Sequence, residues 1–318
     1  MFVWDAHSGF MPDPAADLDN LRSWRDAGVD FLSVNVGFDA LPWRNAVATA
    51  RAFRDWICAH GEEYAVAETI AEVERAKAGG KMAVAFDLEG MNALDGRLEM
   101  LEEYHRLGVR QILFAYNRNN AAGGGCHDDD PGLTPFGRDA IDEMNRLGIV
   151  VDVSHCGFRT SLEAIERSHK PVIFSHSNPR ALYDHERNVR DEQIAACAAS
   201  GGVIGAAGIN IMLGGDEPSV ELLAEHVEYL IDRAGPEHVG IGLDYSFPVE
   251  NADVSAFVSD HPEFWPPERG YANVEARFLA PSVLPQLASE LQRRGHPETV
   301  VRGVLGENFL RVAREAWA

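Results

Sequence analysis

The sequence predicts an α/β protein, a closed (β/α)8 barrel of the TIM type with a long loop after strand 8 and C-terminal helices. Short apolar runs rich in β-formers alternate eight times with stretches of helical periodicity, a pattern typical of parallel sheets. The 318 residues suit one barrel domain, residues 1–318. An open doubly wound sheet is the alternative, but its glycine-rich phosphate loop is missing after the first run, at residues 8–12.

The eight predicted strands are bounded by turn residues. They are Phe2–His7, Val29–Val36, Met82–Glu89, Val109–Tyr116, Ile149–His155, Pro171–His176, Gly202–Ala207 and His238–Asp244. Between them the sequence predicts helices over Asp17–Ala27, Trp43–Ala59, Glu68–Ala78, Leu98–Leu107, Pro135–Leu147, Thr160–Ser168, Asp191–Ser200 and Ser219–Ala234. Each strand is therefore followed by at least one helix, as a barrel requires.

The pattern changes after the eighth strand. Residues 245–285 are rich in proline and aromatic residues without clear periodicity, among them Phe247, Phe257, Phe264, Trp265 and Tyr271. A loop of this length in a compact domain is usually a lid or a binding surface. Two further helices are predicted, over Ser282–Arg294 and Asn308–Trp317.

Charge and composition exclude several classes of function. Asp and Glu total 50 against 28 Lys and Arg, so the formal net charge is −22, which disfavours binding to nucleic acid or to an anionic membrane surface. No signal-peptide pattern or apolar run of membrane-spanning length is present, and we expect a cytoplasmic protein. The four cysteines form no CxxC pair and are expected to be free thiols.

Chemically active residues stand at the ends of five predicted strands. They are His7, Glu89, His155, His176 and Asp244. Barrel enzymes carry their reactive groups at the carboxyl ends of the strands, where side chains meet at one mouth. Three imidazoles and two carboxylates that converge there predict a site for a divalent transition metal, with zinc the leading candidate.

Several motifs resemble one known family. The segments are DLEG (87–90), GLTPFG (132–137), EMNRLGIVVDVSH (143–155), PVIFSHS (171–177), RNVRDE (187–192), VGIGLDYSF (239–247) and GENFLRV (306–312). From about residue 3 to 312 the chain resembles the renal or membrane dipeptidases, a branch of the amidohydrolase superfamily. The resemblance implies a (β/α)8 barrel with a binuclear zinc centre that hydrolyses dipeptides. Members of this family are often homodimers, so the resemblance also implies a possible homodimer.

The resemblance also implies roles for individual residues. Glu89 is the carboxylate that bridges two metals, His155 and His176 complete one metal site, and His7 helps to hold the other. Arg187 binds the free carboxylate of the substrate, and a planar guanidinium suits that group. Asp244 is the catalytic aspartate, which takes a proton from the attacking water and returns it to the leaving amine.

Two positions depart from the family pattern. The first motif, normally His-x-Asp, reads His7-Ser8-Gly9, so the second metal lacks a carboxylate ligand. Asp5, which strand alternation places on the face of His7, or water could replace that ligand, or one ion alone binds to Glu89, His155 and His176. Tyr116 stands where the family carries a histidine that polarises the scissile carbonyl, and its hydroxyl can donate one hydrogen bond to an oxyanion.

Three functions follow. The leading one is a zinc-dependent dipeptidase acting on a small dipeptide-like substrate. Because Gly9 and Tyr116 depart from the family pattern, an amidohydrolase acting on an N-acyl amino acid, a lactone or another small amide is the second. A non-catalytic barrel is the third, although a scaffold has no need of the strand-end residues. The acidic loop with His127 and Asp128–Asp130 is expected to be solvated rather than a metal site.

Overall fold

Parallel strands followed by helices make up the protein, as the alternation in the sequence predicts. The structure is a computed structural model that describes residues 1–8, 11–246, 254–271 and 276–317. Within these ranges the strands are β1 (Trp4–Ser8), β2 (Phe31–Phe38), β3 (Tyr64–Val66), β4 (Met82–Glu89), β5 (Val109–Leu113), β6 (Val150–Asp152), β7 (Val172–Ile173), β8 (Ile204–Ala206) and β9 (Val239–Ile241).

Each predicted strand overlaps an observed one, and β3 is additional. It has three residues and pairs only with the first half of β4, where Tyr64 lies opposite Met82. Three residues are too few to show the period of two that distinguishes a strand in a sequence. The sequence pattern therefore does not predict this strand.

The sheet is parallel throughout its described pairs. Its strand order is β1-β2-β4-β5-β6-β7, with β3 beside β4, while β8 and β9 form a separate pair. A bridge between Phe174 and Ile204 joins the two groups, and the Asp244 amide donates a hydrogen bond to the His7 carbonyl, 3.1 Å away. The α/β fold with a half-barrel of parallel strands agrees with the predicted TIM-like architecture.

The sheet curves strongly. Two strands, β2 and β4, separate β1 from β5, yet the Gln111 side-chain amide of β5 donates to the Ala6 carbonyl of β1, 3.3 Å away. A flat sheet would hold strands three positions apart at roughly 14 Å. The strands therefore wrap around a common interior.

Helices follow the strands along the chain. They are α1 (Arg22–Asp26), α2 (Trp43–Ala59), α3 (Ile70–Ala78), α4 (Met100–Leu107), α5 (Pro135–Leu147), α6 (Phe158–Arg167), α7 (Asp191–Ala199), α8 (Asn210–Leu213), α9 (Val220–Ala234), α10 (Val254–Asp260), α11 (Val283–Arg293), α12 (Glu298–Arg302) and α13 (Asn308–Ala316). All ten predicted helices have a counterpart, and α8, α10 and α12, of seven residues or fewer, are additional. None of the described helices is both long and apolar enough to cross a membrane.

The motif GLTPFG encodes the start of α5. The Thr134 hydroxyl accepts a hydrogen bond from the Gly137 amide at 3.0 Å, and Pro135 occupies the first helical position. Threonine is a preferred N-cap, and proline costs nothing at a position whose amide has no helical partner. This part of the motif thus serves the fold.

The two faces of the strands differ in polarity. Leu32, Val84, Phe86, Ile112 and Val151 pack with the helices in the main hydrophobic core. The opposite face carries buried polar groups that bond to one another: Asp87 accepts from Ser33 at 2.6 Å and from Asn35 at 3.1 Å, and Asp152 accepts from Gln111 at 3.0 Å. The interior is therefore polar toward the carboxyl ends of the strands, whereas Phe31, Ala85 and Val150, two residues earlier on the same faces, pack in a second hydrophobic cluster. The polar part suits a site that holds charged groups.

Candidate metal centre

Four of the predicted residues meet inside the half-barrel. The Glu89 Oε1 atom lies 3.2 Å from His155 Nε2, 3.4 Å from His176 Nε2 and 3.5 Å from His7 Nε2. His7, Glu89 and His176 each offer a ligand atom within 4.8 Å of the others, and all three are buried. The structure thus brings together side chains from β1 and β4 and from the segments after β6 and β7.

Two of the converging ring nitrogens lie within hydrogen-bond distance of each other. His155 Nε2 and His176 Nε2 lie 2.9 Å apart. The Asn117 side-chain oxygen lies 2.7 Å from His155 Nδ1, and the Ser175 hydroxyl lies 2.8 Å from His176 Nδ1. A proton on each Nδ1 leaves two Nε2 lone pairs aimed at each other and at a carboxylate oxygen, an arrangement that a cation between them stabilises.

His7 supplies a second sign of the same fit. Its ring is fully buried, and neither ring nitrogen makes a well-formed hydrogen bond to a described residue. Nδ1 lies 3.2 Å from Asp87 Oδ1, while the ring stacks on His176 with centroids 4.1 Å apart. Buried polar atoms are normally satisfied, so an Nε2 atom without a hydrogen bond beside Glu89 fits the role of a metal ligand.

The charges of the site favour a cation. Burial raises the pKa of Glu89 to about 8, and nearby Asp244 and Asp87 add to the rise. Burial lowers the pKa of His7, but Asp87, Glu89 and Asp244 outweigh it and raise that pKa to about 10. The pKa values of His155 and His176 fall well below the usual value, chiefly through burial, which keeps both imidazoles neutral as metal ligands must be.

Asp244 lies across from the cluster. Its Oδ1 atom is 3.6 Å from His7 Nε2, and 20% of its side chain is exposed. Burial raises the pKa of Asp244, and Asp87 raises it further. A carboxylate held there with a raised pKa can accept a proton.

Three residues around the centre have a left-handed backbone. The φ angles are 60° at Asn117, 61° at His155 and 55° at Asp244. Such angles are uncommon for residues other than glycine and concentrate at functional sites, where the surrounding structure holds them. Each falls on a residue that carries or orients a predicted functional group.

Arg187 lies next to the cluster without a carboxylate partner. It is 4% exposed, and its one side-chain hydrogen bond to a described residue runs from Nη2 to the His176 carbonyl, 3.2 Å away. Its acidic neighbours pair elsewhere: Glu186 with Arg269 and His127, and Asp191 with Arg233 and Tyr229. A buried guanidinium without a carboxylate partner has N–H donors and a positive charge with which it can bind an anion.

Tyr116 lies on the other side of His155. The two rings stack with centroids 4.2 Å apart, and the tyrosine hydroxyl bonds to no described residue. Part of the aromatic segment predicted as a lid lies over this ring, with Trp265 and Phe264 at 5.7 and 6.2 Å. Asn117 also donates to the Phe264 carbonyl at 2.9 Å, so the segment covers one side of the centre.

One expectation about the first strand is corrected. The β1–β2 register shifts between Asp5 and Ser8, which interrupts the alternation that would place Asp5 on the face of His7. The Asp5 carboxylate instead accepts from Trp24 Nε1 at 2.7 Å and from the Leu243 amide at 2.9 Å. Gly9 and Phe247 lie outside the described residues.

The acidic loop, expected to be solvated, instead makes hydrogen bonds that serve the fold, and His127 is buried. Asp130 accepts hydrogen bonds from the Thr160 hydroxyl at 2.5 Å and from its amide at 2.8 Å, at the start of α6. His127 bonds to Glu186 and to the Tyr271 hydroxyl, each at 3.0 Å. These groups are engaged and do not form a second cluster of ligands among the described residues.

The residues that orient the ligands were not predicted from the sequence. Asp87, Asn117 and Ser175 each lie against the Nδ1 atom of a histidine. Partners of this kind fix the ring orientation and the tautomer in metal sites. Asp87 could have been found, because it lies two residues before Glu89 and so shares its strand face.

Comparison with known proteins agrees with this geometry. Residues 16–259 match the family model described as membrane dipeptidase, peptidase family M19. The chain is 39% identical over 176 residues to an uncharacterized dipeptidase of Schizosaccharomyces pombe (52% of this chain, 42% of that protein) and 30% identical over 260 residues to the dipeptidase verJ of Clonostachys rogersoniana (80% and 60%). It thus spans about half the length of these curated relatives.

A solved structure extends the likeness to the whole fold. The crystal structure of an amidohydrolase from Pseudomonas aeruginosa superposes with a TM-score of 0.89 at 29% identity, covering 99% of this chain and 96% of that one. The family match covers well over half of the chain. The protein belongs to the membrane dipeptidase family, peptidase family M19.

Proposed function

We propose that the protein is a zinc-dependent dipeptidase. The observation that carries the proposal is the convergence of the Nε2 atoms of His7, His155 and His176 on one carboxylate oxygen of Glu89. Histidine nitrogen and carboxylate oxygen are the ligand types of catalytic zinc sites. Family membership supports the same activity.

Each ligand has a proposed place. Glu89 is the one group close to all three imidazoles and would contribute to holding either of two ions. His155 and His176 would hold one ion with it, and His7 would hold the other. A bound divalent ion polarises the scissile carbonyl and lowers the pKa of a water molecule toward neutrality. Asp87, Asn117 and Ser175 keep the three rings oriented.

The other residues bind substrate and move the proton. Arg187 binds the free carboxylate of the dipeptide through its unused donors, which places the peptide bond beside the cluster. Asp244 accepts a proton from the water that attacks the carbonyl carbon, then donates it to the amine as the C–N bond breaks. The Tyr116 hydroxyl donates a hydrogen bond to the carbonyl oxygen as negative charge develops. One water is consumed and two amino acids leave.

A closed eight-stranded barrel explains why these groups share one mouth. The bridge from Phe174 to Ile204 and the hydrogen bond from Asp244 to His7 support closure on both sides of the β8–β9 pair. Side chains at the carboxyl ends of the strands then face one opening.

The test is a substrate panel with metal-stripped and zinc-reloaded protein. Dipeptides with L- or D-residues at the second position are assayed by release of amino acids, beside N-acyl amino acids and lactones. We expect zinc-dependent dipeptide turnover that Asp244→Asn abolishes while bound zinc, measured by elemental analysis, stays the same. Faster turnover of acyl amino acids or lactones would favour the second function, and no turnover of any member would overturn the proposal.

A further inference from the structure

A polar cavity of about 520 Å³ lies between His155, the one proposed metal ligand in its wall, and the loop before α7. His155 and Arg187 lie in its wall, so one end adjoins the centre. Pockets of about 300–1,000 Å³ are typical for small ligands. The cavity therefore has room for the amino acid whose carboxylate Arg187 is proposed to bind.

Three of the four acidic side chains in the wall are engaged already, whereas Asp129 is exposed and forms no ion pair with a described residue. Asp128 pairs with Arg118 at 2.8 Å, Asp130 bonds to Thr160, and Glu186 pairs with Arg269. Each carboxylate thus has a donor of its own. None of the three is free to neutralise a further guanidinium.

Four arginines line the same cavity, and they differ in whether a carboxylate pairs with them. Arg180 pairs with Asp184 at 2.6 Å, and Arg269 pairs with Glu186. Arg187 and Arg190 have no carboxylate within 4 Å among the described residues. Two guanidinium groups, three residues apart, therefore face this cavity without a counter-ion.

Arg190 is an exposed residue of the cavity wall, and its guanidinium lies against an aromatic ring. Its guanidinium carbon lies 5.0 Å from the centre of the Phe158 ring, a cation–π contact. Its backbone amide donates to the Gln193 side chain at 3.0 Å at the start of α7. The N–H donors at the edge of the guanidinium remain available, because the ring contact uses no N–H group in a hydrogen bond.

We propose that Arg190 binds an acidic side chain on the carboxyl-terminal residue of the substrate, which makes dipeptides ending in aspartate or glutamate the preferred class. This inference rests on the proposed function, in which Arg187 holds the α-carboxylate of that residue. A β- or γ-carboxylate is separated from the α-carboxylate by only two or three carbon atoms. It therefore enters the same cavity, where Arg190 is the other cation without a partner.

The test compares matched substrate pairs that differ only in charge. The ratio of kcat/KM for Ala-Asp over Ala-Asn, and for Ala-Glu over Ala-Gln, is measured with L- and D-residues at the second position. A charge-assisted contact at a partly exposed site predicts a ratio of about 10. Arg190→Met should reduce the ratio about tenfold, and Arg190→Lys should restore part of it.

Arg180→Met is the matched control. Arg180 lines the same cavity but already pairs with Asp184, so its loss should leave the ratio within about twofold of the wild-type value. Turnover of neutral dipeptides with a wild-type ratio near 1 would overturn this inference and leave the proposed function standing. A high ratio that Arg190→Met does not change would also overturn it.

A binding measurement covers the case in which no dipeptide is hydrolysed. Aspartate and asparagine are titrated calorimetrically into the zinc-loaded protein and into the Arg190→Met variant. Aspartate binding about tenfold tighter than asparagine, and lost in the variant, would support the anion site even though the proposed function had failed. Equal affinity for the two amino acids would overturn the site itself.

Discussion

Zinc should stabilise the folded protein measurably. The ligands His7, Glu89, His155 and His176 are up to 169 residues apart and meet only in the folded chain. An ion that binds only the folded state adds about 2.7 kcal/mol at a free concentration 100 times its Kd. With an unfolding entropy of about 2.1 cal/mol/K per residue, the 318 residues give about 0.7 kcal/mol/K, so the midpoint of thermal unfolding should rise by about 4 °C.

The assay is scanning calorimetry of metal-stripped protein with and without zinc. Glu89→Gln keeps the size of the side chain but removes the charge that all three imidazoles approach. If Kd rises about a hundredfold, the same zinc concentration adds only about 0.4 kcal/mol, a shift below about 1 °C. His127→Gln is the control, because His127 bonds to Glu186 and Tyr271 and should leave the full shift. An equal shift in Glu89→Gln and wild type would refute the assignment.

Three other changes test the surroundings of the site. Asp87→Asn should weaken zinc binding 10- to 100-fold by calorimetric titration, because the carboxylate beside His7 Nδ1 orients the ring. Asp39→Asn should destabilise the protein by about 2 kcal/mol more at pH 4 than at pH 7 in urea unfolding. Burial raises the pKa of Asp39 to about 6 in the folded protein, above the unfolded value of about 3.9. Ionisation of Asp39 at higher pH therefore opposes folding, and the side chain contributes more stability at pH 4, where it is protonated in the folded state, than at pH 7. Trp24→Phe should lower the free energy of unfolding in urea by about 1–3 kcal/mol, because buried Asp5 loses its 2.7 Å donor.

Each change has its own control or contradicting result. Exposed Asp129→Asn should leave zinc affinity unchanged, and an equal loss from both aspartate variants would remove the role of Asp87. For Asp39→Asn, a cost that grows toward pH 7 would reverse the sign that burial requires. Trp56→Phe removes an indole that stacks on His60, and a loss as large as that of Trp24→Phe would show that the hydrogen bond to Asp5 is not the cause.

Much of the fold could be predicted because it depends on periodicity. The eight predicted strands and ten predicted helices all have counterparts, since the apolar runs are long enough to show a repeat. Short elements such as β3 and α8 lack that length. The lid over Tyr116 could be predicted only as a long aromatic loop, because its contacts with Asn117 join residues about 147 positions apart.

The ligands could be predicted for a similar reason, but the histidine that each orienting residue contacts could not. A histidine or carboxylate at the end of an apolar run can be identified from the sequence alone. The pairing of Asp87 with His7 depends on how two strands that are not neighbours face each other. The register shift near Asp5 likewise has no signature in the sequence. Strand alternation with a period of two therefore predicted the wrong strand face for Asp5.

The sequence by itself determined three features, because each depends on neighbours along the chain. They are the residue types at the strand ends, the strand–helix alternation and the acidic surface. Only the tertiary structure decided which lone pairs face one another and which arginines lack a counter-ion. Arg180 and Arg190 are the same residue type in the same loop, and the position of Asp184 beside one of them makes the difference. Electrostatic pairing depends on distances of a few ångströms in space, which a linear pattern does not contain.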